Sequence, residues 1–236
     1  MEPPTHAPDM TSPRDAHRDG PLLPLLVVLT SVTGLVDAIS YLQLGHVFVA
    51  NMTGNVVFLG FAIAGAPDFS MVASLVAIAA FLVGAVAGGR LGAIIGQHRS
   101  RFLAIAILAK LGLVGVAWIV AVATSDATFL QYGLITLLAL AMGLQNAAAR
   151  FLAVPDLTTT VLTLTLTGLA ADSTFAGGNN PRLARRLIAT GAMFAGATLG
   201  AVLVLYVGLG AALALTFTFL CGNAIAAYRV WSNSVV

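Results

Sequence analysis

Asp37 stands well inside an apolar run, Leu22–Leu44. A carboxylate at the centre of a membrane helix costs about 2.5–3.5 kcal/mol on insertion scales. Such a group either carries protons or serves as a hydrogen-bonded strut between helices. Lys110, the only lysine, lies inside another apolar run, Phe102–Ala123. Counted at 1.5 Å per residue, Asp37 sits about 22 Å and Lys110 about 13 Å from the cytoplasmic starts of their runs. A lysine stem can cover much of the difference of about 9 Å, so an Asp37–Lys110 pair and a lysine that snorkels to the surface both remain open. Two polar knots carry the other candidates: Asn51-Met52-Thr53-Gly54-Asn55 and Pro155-Asp156-Leu157-Thr158-Thr159-Thr160. Asn, Thr and Asp cap the exposed N–H groups at the start of a helix. A helix beginning inside a bilayer needs such caps, water or an anionic ligand. Asn51, Thr53, Asn55, Thr158, Thr159 and Thr160 are therefore expected to line a substrate filter, self-capping being the plainer alternative. Asn146, four residues before Arg150, occupies the place in the second half of the chain that Asp37 holds in the first. Thr160, Thr163 and Thr167 share one helical face and can extend a polar track. His46 precedes the first knot, where it can line an entrance or simply sit at an interface.

Catalytic and metal-binding patterns are missing from the sequence. There is no HExxH, no GxSxG and no pair of carboxylates in a plausible span, so no enzyme, metal or cofactor is expected. One cysteine, Cys221, excludes an internal disulfide framework and a cysteine zinc site. Of 236 residues, 59% are hydrophobic and 8% charged, against about 25% charged in a soluble domain. Six of the charges fall in the first twenty residues, leaving 14 for the 216 that follow. So few cannot make a water-soluble surface, which excludes a soluble enzyme. The basic residues sit in short clusters between apolar runs, so no nucleic-acid partner is expected either.

The elements that must position these residues follow from length. A spanning helix needs about 20 apolar residues. Leu22–Leu44, Phe69–Ile95, Phe102–Ala123, Phe129–Phe151, Leu187–Val207 and Leu209–Tyr228 qualify. Met52–Ala66 and Leu157–Ala171 are too short at about 22 Å. If both short stretches enter and return on one side, all ten arginines face the cytoplasm. If both cross, the split is six to four. The first solution gives an all-α integral membrane protein. It has six transmembrane helices and two re-entrant or half-helices, with both termini cytoplasmic. Order and detail then repeat. Gly34-Leu35-Val36-Asp37-Ala38 aligns with Gly143-Leu144-Gln145-Asn146-Ala147, and the Gly84–Gly88–Gly92–Gly96 ladder with Ala192, Gly196 and Gly200. Three crossings per unit make the second unit inverted, a plan that recurs in transporters. The expected organisation is a disordered tail (1–21), a first repeat (22–124), a second repeat (125–229) and a short C-terminal tail (230–236). The glycine ladder suits the contact between repeats or a homodimer.

Gly34-Leu35-Val36-Asp37-Ala38 followed by Asn51-Met52-Thr53-Gly54-Asn55, with Thr158-Thr159-Thr160-Val161-Leu162-Thr163 later, resembles the signature of the YoaK-type bacterial transmembrane family. The resemblance covers about Pro21 to Tyr228. It implies a bacterial inner-membrane location and supplies neither substrate nor functional residues. The residues themselves point to a permease or channel for a small anionic or polar solute, with Asp37 able to couple protons to its movement. The alternative is a non-transporting scaffold, regulatory or lipid-binding subunit. Either way the lipid bilayer is a partner.

Overall fold

A computed structural model describes residues 20–124, 126–153, 162–180 and 182–233. Within them lie eight α-helices and no strand. Six are long and apolar enough to cross a membrane: α1 (Leu23–Gln43), α3 (Met71–Ile95), α4 (Arg99–Ala123), α5 (Ala127–Leu152), α7 (Leu183–Tyr206) and α8 (Leu209–Asn233). Two are short, α2 (Met52–Ile63) and α6 (Leu162–Ala171), about 18 and 15 Å long. Local signals set the boundaries. Pro24 opens α1, where a missing N–H costs nothing. Ser70 caps α3 and Asp126 caps α5 through their side-chain oxygens. Gly65 ends the turn after α2 at φ +88°, a conformation that glycine adopts without strain. The tail read from the sequence lies, up to residue 19, outside the described residues. The helix α8 runs four residues into the stretch read as the C-terminal tail.

Helix directions follow from which residues meet. Leu44 accepts from Gln131 at one end of the α1–α5 contact, and Thr33 accepts from Gln145 deeper in, so α1 and α5 are antiparallel. Arg101 lies over Trp231 and Trp118 stacks on Phe217, so α4 and α8 are antiparallel too. By contrast Gly196 abuts Ser31 and Gly200 abuts Leu35, which makes α1 and α7 parallel. Gly84 at Leu140 and Gly88 at Leu144 make α3 and α5 parallel. Therefore α1 and α3 run in opposite directions, and so do α5 and α7. Each short helix returns the chain to the end it came from. Every described arginine then belongs to one end of the bundle, at the starts of α4 and α7 or towards the ends of α3, α5 and α8.

The tightest crossings, α1 with α7 and α3 with α5, rest on glycine. A Cβ on Gly34 would meet the backbone of Met193 and Ala197, and one on Gly143 the backbone of Phe81 and Ala85. These contacts recur at constant offsets. The contacts of Gly84, Gly88 and Gly143 between α3 and α5 reappear between α7 and α1. The α5 residue numbers are higher than those of α1 by 109, and the α7 numbers higher than those of α3 by 112. Thus Gly84–Leu140 returns as Gly196–Ser31, and Gly88 against Leu144 and Ala147 as Gly200 against Leu35 and Ala38. The same offset carries Asp37 onto Asn146.

Candidate functional site

Asp37 organises the start of α2. After α1 the chain turns at Gly45 and His46, both at positive φ, and doubles back alongside α1. Oδ1 of Asp37 accepts from the backbone N–H groups of Val49 (3.1 Å) and Ala50 (2.8 Å). Those donors lie just before α2, so the carboxyl group holds the tip of the short helix at its own depth. That depth is about six residues, or 9 Å, below the end of α1. Asn51 caps α2 by accepting from the Gly54 N–H at 3.3 Å. Asn55 is fully buried and grips Phe48 from both sides, accepting from its N–H and donating to its carbonyl oxygen. It clasps the doubled-back loop. An aromatic group of Tyr41, His46, Phe48, Phe58, Phe61 and Phe69 packs around the same loop.

A cavity of about 590 Å³ opens at this tip. Its described walls are Thr33 and Asp37 of α1, Ala50 and Asn51, the first turns of α2, Phe81 of α3, Leu162 and Thr163 of α6, and Met193 of α7. The first residues of both short helices therefore face one space. The helix α6 leads from there toward the arginine-bearing end, where Asp172 just beyond it pairs with Arg186 of α7 at 2.7 Å. The helix α2 leads the opposite way, to the loop in which the Asp68 carbonyl lies 3.1 Å from His46 Nδ1. Phe81 and Met193, both in the wall, are related by the offset of 112. Asp37 is 6% exposed, and its Oδ2 has no hydrogen-bond partner among the described residues.

Of the residues expected to line a filter, the structure brings Asp37, Asn51 and Thr53 to the cavity. Asn55 is turned into the clasp instead. Asn146 is buried on α5 with Nδ2 donating to the Met142 carbonyl, and it is not among the cavity's described walls. Thr158, Thr159 and Thr160 lie outside the described residues. Lys110 adopts neither arrangement left open by the sequence. It is 1% exposed, so it does not snorkel, and no ion pair joins it to Asp37 among the described residues. Nζ of Lys110 donates to Gln145 Oε1, Gln145 Nε2 donates to Thr33 Oγ1 at 2.9 Å, and Thr33 donates to the Leu29 carbonyl at 2.8 Å. A polar chain thus runs from α4 through α5 to the cavity wall. Thr33 was missed in the sequence, although its place four residues before Asp37 puts both on one face of α1.

A bundle with six long and two short apolar helices among the described residues, and a cavity at the first turns of the short ones, defines a multi-pass transmembrane protein. Residues 25–227 match the family described as "Protein of unknown function (DUF1275)", and the chain belongs to that family. Over 150 residues it is 35% identical to "UPF0700 transmembrane protein YoaK" of Bacillus subtilis (strain 168), a match spanning 63% of this chain and 65% of that protein. No solved structure matches the chain.

Proposed function

We propose that this chain is a permease for a small polar solute, built as an inverted repeat and seated in a bacterial inner membrane with its arginine-bearing end in the cytoplasm. One observation carries the reading: the first described residues of both short helices line a single cavity of about 590 Å³ together with Asp37, whose Oδ2 has no hydrogen-bond partner among the described residues. Irregular backbone at membrane depth is tolerated where it lines a cavity or is buried in protein. Sites at the interface of inverted repeats, formed by interrupted helices, are the usual plan of secondary transporters. Support for the inversion comes from the opposed directions of α1 and α5 and from the glycine contacts that recur at fixed offsets. The orientation is supported by the gathering of the arginines at one end.

A non-transporting scaffold has an observation of its own. Asn51 caps α2 from within the chain, and Asn55 is spent on a clasp, as a self-sufficient structural loop requires. Solute entry into proteoliposomes separates the two readings. The permease reading expects solute-driven re-swelling well above that of empty vesicles, slowed by Thr53→Val at unchanged thermal stability. No flux of any small polar solute, with the protein folded, establishes the scaffold.

A further inference from the structure

We infer that the solute accepted by the cavity is uncharged and bears hydroxyl or amide groups, one of which donates to Oδ2 of Asp37. This rests on the permease reading and names its substrate class.

The argument is one of charge and of free hydrogen-bonding groups. Asp37 is the only acidic or basic side chain on the described wall. Lys110 is held by Gln145 outside that wall, and the described arginines belong to the bundle end. Against that carboxyl group stand the first turns of α2 and α6, each worth roughly half a positive charge. Together these offset the one carboxylate of the described wall, leaving that wall close to neutral.

An anion entering here meets no full positive charge and faces Asp37. A cation meets Asp37 but lies between two positive helix ends. Either ion leaves its water without a matching counter-charge, which costs several kcal/mol. An uncharged solute avoids that cost if its polar groups find partners. The partners are there. Oδ2 of Asp37 accepts. Nδ2 of Asn51 is free to donate, because its Oδ1 already holds the Gly54 N–H. The hydroxyls of Thr53 and Thr163 can do both. Phe58, Phe81 and Met193 supply apolar wall for a carbon skeleton. The volume is many times the roughly 30 Å³ share of one water, room for a solute of several heavy atoms.

The test uses three near-isosteric probes at neutral pH: glycerol, its anionic analogue glycerate and its cationic analogue aminopropanediol. Each is offered to proteoliposomes of the full chain, and re-swelling is followed by stopped-flow light scattering. The expected result is glycerol entry at least about tenfold faster than glycerate or aminopropanediol entry after subtraction of empty vesicles. Asp37→Leu should lower the glycerol rate by about tenfold, since it removes the acceptor. The selectivity is read on the unaltered protein, so it stands even where the variant misfolds. Entry of glycerate or aminopropanediol at or above the glycerol rate overturns the inference and leaves the permease standing. No entry of any probe overturns both.

Discussion

Taking the acceptor away from Lys110 should harm the protein more than taking the lysine itself. Gln145→Leu leaves a buried ammonium without its one hydrogen-bond partner among the described residues, a change that costs about 3–5 kcal/mol. Lys110→Met takes one donor from an uncharged amide, which costs less, at most about 1–3 kcal/mol. The double variant should recover most of the loss, because it removes both halves of the pair. Thermal unfolding of the four proteins in detergent measures the cycle; strict additivity would contradict the bond. Asn55→Ala should likewise appear as lost stability, by about 1–3 kcal/mol for each orphaned Phe48 group, rather than as altered selectivity. Asp37→Asn tests the proton-coupling role. If the carboxyl group carries the proton, an inward pH gradient drives uptake in the parent and not in the variant. These partners show how far single residues could be read. The sequence marked Asp37, Asn51 and Lys110 because each is costly or distinctive where it stands. It could not pair Lys110 with Gln145, because that bond depends on the approach of α4 to α5, which no local pattern encodes.

Helix boundaries were the most legible level. Apolar length and punctuation placed six long elements and two short ones to within about five residues of their described ends, the expected start of the second short one at Leu157 lying outside the described residues. The glycine ladder was visible as spacing, but its partner was not. Small residues show that something comes close without showing what. The structure puts α5 against the ladder and α1 against its counterpart on α7, with glycines of α1 and α5 meeting backbone in return. A large side chain at these crossings forces the helices apart. Gly84→Leu and Gly196→Leu should each destabilise by at least about 1–3 kcal/mol, the usual cost of overpacking. Because the two positions correspond, their effects should be similar. Gly112→Leu on α4, where nothing lies within 4 Å of an added Cβ, should be close to neutral. Melting temperatures of the three variants decide it. A large loss at Gly112, or a small one at Gly84, would place the tight crossings elsewhere.

At the scale of the whole molecule, orientation and re-entry make separable demands on where the loops face. The helix directions put Leu44 and Asp68, which flank α2 and its loops, at one end of the bundle, and Gln97 at the other. The proposed orientation, argued from arginine placement, puts the Gln97 end in the cytoplasm. Single cysteines at Gln43 (exposed, next to Leu44), Asp68, Gln97 and Thr124, in a chain with Cys221→Ala, should therefore divide three to one. Those at Gln43, Asp68 and Thr124 should react with an impermeant thiol reagent from outside the cell, and that at Gln97 only from within. If all four exchange sides, the orientation is reversed but α2 still returns. If Gln43 and Asp68 react from opposite sides, α2 crosses, and the proposed inversion of the second unit relative to the first is lost. A tip held at depth by Asp37 then loses its facing partner, and with it the shared cavity that the permease reading requires.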